Sequence, residues 1–226
     1  MSPRRAASIV LASLSFWLAA AQAAPSGAPV SVQSGKIVLT RNGAQIVLTK
    51  SGRDTDPVLS PDGRIVVFTR GRPQDQDAED CSDDSAAKVE LWAVGADGRG
   101  ERKLLDSRSA KDPKFQVCHF GNKQFSSNGK RLYFESKGWA TSAALHMYDF
   151  ASGKERFVAP ENDYLVLANC ERGEYRDAIA VGQHRYFVFG GSYDWYWLLS
   201  ADGTKELGPL GENLAMAKEE CGLKSD

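Results

Sequence analysis

The stretch 60-SPDGRIVVF-68 returns, altered, as 126-SSNGKRLYF-134. In both copies a serine precedes an Asx-Gly pair, a basic residue and an apolar run. Gly63 and Gly129 tolerate φ > 0, Asp62 and Asn128 favour turns, and Arg64 and Lys130 keep the turn in water. The run Ile65-Val66-Val67-Phe68 is apolar at consecutive positions rather than at alternate ones. That is the pattern of a strand buried on both faces.

A second element follows each copy. The stretches 90-ELWAVGADGRGERKLL-105 and 145-LHMYDFASGKERFV-158 both read as strand, Gly-containing turn, strand, and the pattern recurs as 195-WYWLLSADGTKELG-208. An upstream copy, 36-KIVLTRNGAQIVLT-49, turns at Asn42-Gly43. Asx-Gly turns between apolar strands are strong hairpin signals. A worn third copy of the first hairpin is expected in 178-AIAVGQHRYFVFGG-191, with Gln183-His184 in place of the Asn-Gly pair and Phe189 aligned to Phe134. The count is one outer hairpin (36–49) and three units of inner plus outer hairpin, beginning near residues 56, 113 and 175. Four antiparallel strands per unit at this spacing predict an all-β chain, either a β-propeller or an open array of blades.

DPVLSPDGRIVVFTR followed by VELWAVGADG resembles the repeat of the Tol-system propellers and of the amino-terminal propellers of prolyl oligopeptidase-type enzymes. The motif is close in unit one, good in unit two and weak in unit three, and the resemblance spans residues 36–210. It implies a TolB-like, WD40-like repeat protein that docks onto another exported or outer-membrane protein through one propeller face. The chain departs from that pattern in blade number. Three units and an orphan hairpin make a small or incomplete β-propeller of about four blades. The orphan hairpin is expected to close a squat ring. The alternatives are two chains completing one ring as a homodimer through open blade edges, or open edges capped by the tail. Unpaired edges invite another strand.

The opening MSPRRAASIVLASLSFWLAAAQAAP carries Arg4 and Arg5, a short apolar run and Ala21-Gln22-Ala23, the build of a cleaved secretory signal peptide. The organisation expected is a signal peptide (1–23), a linker (24–35), propeller repeats (36–210) and a tail (211–226). Arg4-Arg5 also raises twin-arginine export, but the apolar residue wanted after the pair is missing. No later segment is apolar enough for a membrane span, so a periplasmic or secreted protein is expected. With 28 basic and 29 acidic residues and a net charge of −1, the basic excess of a nucleic-acid binder is missing.

The repeat assigns loops to faces. Within a blade A-B-C-D, the A–B and C–D turns fall at one end, the bottom. The B–C loops and the links between blades fall at the top. On this reading Cys81, Cys118, Cys170 and Cys221 all lie on top. An oxidising compartment then favours two disulfides, with Cys81–Cys118 and Cys170–Cys221 the expected pairs among three possible pairings. The first B–C loop, 72-RPQDQDAEDCSDDSAA-87, holds Asp75, Asp77 and Asp80. It reads either as a solvated acidic loop or as part of a calcium site, although the Gly and distal Glu of a calcium loop are missing. Trp139, Tyr193 and Trp195 occupy equivalent places in two units. They read as partner anchors or as packing between blades, Trp195 being the more core-like.

Catalysis finds little support in the sequence. Gly190-Gly191-Ser192-Tyr193-Asp194 fails the nucleophile-elbow pattern at its last position. Ser127-Asn128-Gly129-Lys130 matches S-x-x-K only within a solvated turn. His119, His146 and His184 fall in a link, a strand and a turn, without metal-ligand spacing. No catalytic residue, metal or cofactor is expected. The function expected is a non-catalytic protein-binding module or adaptor of the cell envelope. The alternative is a small-ligand or calcium receptor using the acidic and aromatic loops.

Overall fold

A computed structural model of the chain describes residues 29–71 and 89–223. The expected signal peptide and the acidic loop with Asp75, Asp77, Asp80 and Cys81 lie outside these residues. The described chain forms one three-stranded and three four-stranded antiparallel sheets, each built from consecutive strands. The first sheet comprises β1 (Val30–Gln33), β2 (Lys36–Arg41) and β3 (Ala44–Val47). Its β2–β3 turn is Asn42-Gly43, both at positive φ, 52° and 78°, as a two-residue hairpin requires. The stretch read as a linker, 24–35, carries β1, which pairs with β2 from Val30↔Leu39 to Gln33↔Lys36.

Blade one is β4 (Asp54–Leu59), β5 (Ile65–Arg70), β6 (Glu90–Gly95) and β7 (Arg102–Asp106). Blade two is β8 (Gly121–Phe125), β9 (Arg131–Ser136), β10 (Ala143–Asp149) and β11 (Lys154–Glu161). Blade three is β12 (Asp163–Val166), β13 (Ile179–Tyr186), β14 (Ser192–Leu199) and β15 (Glu206–Gly211). A short helix, α1 (Ala215–Glu220), follows.

The recurrent serine explains itself in the turns. Ser60 Oγ donates to Asp62 Oδ1 and accepts from the Ile65 amide, while the Arg64 amide donates to the same carboxylate. Ser126, Asn128 and Arg131 repeat this arrangement, and Ser200, Asp202 and Lys205 repeat it in the C–D turn of blade three. The motif is thus a hydrogen-bonded clasp that closes a strand pair. The Ser200 and Thr204 hydrogen bonds hold the Asp202 carboxyl down at about 2.

The blades stack through four hydrophobic cores in series. Ile37, Leu39 and Leu48 of the first sheet pack against Val66, Phe68 and Val94 of blade one. Val67, Leu91 and Ala93 of blade one meet Phe125, Leu132 and Phe134 of blade two. Tyr133, Leu145 and Met147 of blade two meet Tyr164, Ile179, Val181 and Leu199 of blade three. Leu167, Ala178 and Leu198 then pack with Cys170 and Cys221. Consecutive residues of β5, Val66 and Val67, thus serve opposite cores, which accounts for its unbroken apolar run. Among the described residues no strand pairing and no core joins the first sheet to blade three. The described residues form an open series of four sheets with the tail folded onto the last one, rather than the squat closed ring expected.

Unit three departs from the expected strands. Gln183-His184 makes no turn; both lie inside β13, which pairs without a break with β14 from Ile179↔Leu199 to Tyr186↔Ser192. The inner strand is instead β12, which pairs with Ile179–Gly182 of β13. The reason is local: neither Gln183 nor His184 supplies the φ > 0 a two-residue turn needs, whereas Gly190 and Gly191 do, at 97° and 85°. The B–C turn therefore moves to 187–191, and Phe189 leaves the strand position aligned with Phe134.

This shift also relocates two cysteines. Cys170 lies in the A–B loop, where Leu167 receives the amides of Cys170 and Asp177. That is the bottom, not the top. The tail returns to it: the Glu171 amide donates to the Cys221 carbonyl, and Cys170–Cys221 form a disulfide with Cα atoms 4.2 Å apart. The expected pairing holds, at the opposite end of the blade from the one expected. Cys118 is also disulfide-bonded, and the Cys81 end of the other expected pair lies outside the described residues. Blade one keeps one buried ion pair, Arg70 Nε to Asp54 Oδ1 at 2.6 Å, with Glu101 on the other guanidinium nitrogen at 2.7 Å.

Candidate functional site: an aromatic arm above blade two

β13 and β14 are longer than the strands that flank them. β12 covers β13 only as far as Gly182, and β15 covers β14 only from Tyr196 onward. Among the described residues, 183–186 and 192–195 pair only with each other and project past the blade as a two-stranded arm. Four strand residues rise roughly 13 Å, before the turn is added.

Strand alternation sorts the arm's side chains. Ile179, Val181 and Leu199 face blade two, so Gln183, Arg185, Tyr193, Trp195 and Trp197 lie on that same face. Gln183 Nε2 donates to the Pro160 carbonyl of blade two at 2.8 Å, as this parity requires. The face is a continuous aromatic row: Phe187 and Tyr193 lie 4.6 Å apart between ring centroids, and Tyr193 and Trp195 lie 5.3 Å apart. On the opposite face His184 Nδ1 sits 2.9 Å from Asp194 Oδ1, and Tyr186 packs edge-on against the His184 ring.

The tip of the arm is apolar and in water. Phe187 is 57% exposed, Val188 92% and Phe189 101%. Phe187 closes the turn by donating its amide to Gly191. Among the described residues Tyr193 lies against Phe187 and little covers Val188 and Phe189, so the conformation is held by the Gly190-Gly191 turn and the ladder below it.

At the arm's foot a cleft of about 310 Å³ is lined by Ser142 and Pro160 of blade two and by Gln183, His184 and Arg185. In the B–C loop of blade two the Trp139 amide donates to the Ser142 carbonyl, and the Trp139 ring meets Phe157 edge-on at 6.0 Å, on the side where His146 and Phe134 face blade one. The Trp139 ring therefore turns to the blade-one side of blade two, whereas Tyr193 and Trp195 lie on the arm's face toward blade two, and the structure does not bring the three together. Trp139 and Trp195 are each 37% exposed and Tyr193 is half-buried, the reverse of the expected ranking of Tyr193 and Trp195. Asp75, Asp77 and Asp80 lie outside the described residues. The tip residues Phe187, Val188 and Phe189 were missed in the sequence because they read as a strand interior. The double glycine after Phe189 was the signal that a turn stood there.

Beneath the cleft runs a buried acidic group. Glu161 is buried with Oε1 unpartnered, and burial, with Glu135 and Asp163 nearby, pushes its carboxyl up to about 8. The Tyr196 hydroxyl is held up at about 12 by burial and by its bond to Asp163. His146, buried, lies 2.5 Å from Glu155 through Nδ1 and stacks on Phe134. His119 lies 3.5 Å from Glu135. Ser127 is tied to Asp177 through both its amide and its hydroxyl, a contact between the bottom turns of blades two and three. Among the described residues no group of three or more His, Cys, Asp or Glu side chains is placed to hold a metal ion, and no helix is long and apolar enough to cross a membrane.

No protein-family model and no curated protein matches the chain. Solved structures do. The β-propeller domain of the trilobed protease from Pyrococcus furiosus, described as having an open velcro topology, superposes at TM-score 0.51 with 15% identity, over 79% of this chain and 48% of that one. The tricorn protease matches at TM-score 0.50 with 12% identity, over 81% of this chain and 16% of that one. A putative TolB from Agrobacterium tumefaciens matches at 0.46 with 12% identity, over 81% and 57%.

The fold is that of a β-propeller.

The propeller repeats are thus those the Ser-x-Asx-Gly motif pointed to. The chain spans about half the length of the first solved structures it matches, and identities this low establish the propeller fold alone.

Proposed function

We propose that the chain is an exported, non-catalytic protein-binding module of the cell envelope, which holds a partner between the aromatic arm and the top of blade two. The observation that carries this reading is the arm: Phe187, Val188 and Phe189 are exposed at its tip, and Tyr193 and Trp195 continue the row down β14. Aromatic anchors presented together on a rigid scaffold are the usual energetic centre of a protein interface. Contiguous exposed apolar side chains are a feature of interaction sites. The signal-peptide pattern supports export, and the Cys170–Cys221 bridge suits an oxidising compartment. The resemblance to Tol-system propellers supports an outer-membrane or envelope protein as the partner. A second copy of this chain, meeting the first through open blade edges, is the other occupant to be distinguished.

Co-purification after in-cell cross-linking, on the wild type and on a Trp139→Ala/Tyr193→Ala variant, tests the reading. It requires one dominant partner that the variant loses. Equal capture by the variant would refute the assignment of this face.

A further inference from the structure

The edge of β13 that faces the cleft carries main-chain groups with no strand beside them. The Phe187 amide donates to the Gly191 carbonyl, which sets the alternation down the β13–β14 ladder. Phe187, Arg185 and Gln183 turn their N–H and C=O groups toward β14. Tyr186, His184 and Gly182 turn theirs away. The Asn162 amide takes the Gly182 carbonyl, which confirms the outward direction and marks the last covered residue. Above Gly182 β12 has ended, and no strand among the described residues continues its line past His184 and Tyr186.

We infer that this edge receives an extended segment of the partner protein as an added strand, antiparallel to β13 in the line of β12. The inference rests on the protein-binding reading above and specifies its mode. The outward N–H and C=O groups of His184 and Tyr186 supply two donors and two acceptors at the spacing of a strand. Strand addition to an exposed edge is a recurrent way of holding a peptide. The space is already there, since the cleft of about 310 Å³ between Pro160, Ser142 and the arm lies along this edge. Alternate side chains of the incoming strand would face blade two, beside Arg185 and Phe187. A segment with apolar residues at every second position is therefore the class that fits. An ordered arm is prerequisite, and His184 with Asp194 and Tyr186 on its other face supplies cross-strand support.

Position 186 allows a specific test. Its amide does not bond to β14, so Tyr186→Pro removes an outward donor while sparing the ladder, as proline is tolerated at a strand edge. Ser192→Pro does the same on the opposite edge of the arm, and Tyr186→Val removes only the ring. The probe is a phage-displayed library of random linear peptides panned on the purified mature protein. Enriched peptides with alternating apolar residues should bind wild type, Tyr186→Val and Ser192→Pro alike, and should bind Tyr186→Pro roughly tenfold or more weakly. On the wild type, bound peptide should slow amide hydrogen exchange at His184 and Tyr186, a readout independent of whether any variant folds. Unchanged exchange at both amides would overturn the inference. So would peptides that bind Tyr186→Pro normally yet are lost with Trp139→Ala/Tyr193→Ala, although that result would leave the protein-binding reading intact. No enriched peptide beside a captured folded partner would likewise remove strand addition alone, whereas failure of both experiments would remove both.

Discussion

Arg185 lies over Trp197, its guanidinium carbon 3.6 Å from the ring centroid, and the same head donates to Gln183 Oε1 and to Glu206 Oε2. One side chain thus ties the root of the arm to both β14 and β15. Cation–π contacts of partly desolvated arginines contribute about 0.5–2 kcal/mol. Arg185→Ala should lower global stability by about that amount and speed amide exchange in the arm more than in blades one and two. Arg185→Lys should restore little, because an ammonium cannot both lie flat on the indole and fork to two acceptors. Site-resolved hydrogen exchange measures both.

The Cys170–Cys221 bridge fastens the tail to blade three and closes a loop with a sequence separation of 51. Bridges of this kind contribute about 2–4 kcal/mol. A Cys170→Ser/Cys221→Ser variant should therefore melt about 4–16 °C lower in this size range, with exchange rising first around Leu167, Ala178 and Leu198, the residues that pack against the bridge. A melting temperature equal to wild type would show that the packing holds the tail without the bridge.

Asp54 is fully buried against Arg70, whose side chain is 10% exposed. Removing one partner of a buried ion pair strands the other charge, at a cost of about 3–5 kcal/mol. Asp54→Ala should be destabilised by that much in urea titration, and Asp54→Ala/Arg70→Met should recover most of the loss. Glu101 lies on the other guanidinium nitrogen and is partly exposed, so Glu101→Ala should cost less than Asp54→Ala.

Glu161 gives a pH dependence of stability. Its carboxyl is neutral in the folded chain up to about pH 8, against a usual value of 4.5. Below pH 4.5 both folded and unfolded chains hold the proton and the group has no effect. Between 4.5 and 8 the folded chain holds more protons than the unfolded one, so stability falls as pH rises, and the loss is complete above 8. Glu161→Gln should flatten that slope and melt higher than wild type at pH 8, with little difference at pH 4.5. Thermal melts across this range on both proteins measure it.

Blades one and two were legible because each of their turns carries its own chemistry in a few adjacent residues: Ser60-Pro61-Asp62-Gly63, Ser126-Ser127-Asn128-Gly129, Ala96-Asp97-Gly98. The inner hairpin of blade three was not. β12 follows β11 after the single residue Asn162, so no turn signal separates them, and its partner β13 lies beyond the 167–178 loop. Pairing at that distance is decided by the core that Tyr164 and Val166 enter, not by local sequence. The same misreading hid the tip of the arm. Phe187, Val188 and Phe189 have the composition of a buried strand, and the Gly190-Gly191 turn with the register Tyr186↔Ser192 shows that they stand outside one. Trp139, Tyr193 and Trp195 read as a group because the repeat places B–C loops at one end, but Tyr193 and Trp195 lie within β14 and the Trp139 ring packs on Phe157. Tyr193 and Trp195 share one face of the arm, so their order of exposure is set by what covers each, Phe187 lying against Tyr193, and not by strand alternation.

The central claim is that the arm is where a partner is held. Site-specific photocross-linking from position 188, at the tip, against position 152, in the bottom turn of blade two, tests it most directly in the intact cell envelope. The account predicts one dominant adduct from 188, absent from 152 and lost when Phe187 and Phe189 are replaced by serine in a chain of unchanged melting temperature. The same adduct from both positions, or none from 188 while a partner still co-purifies, would contradict it.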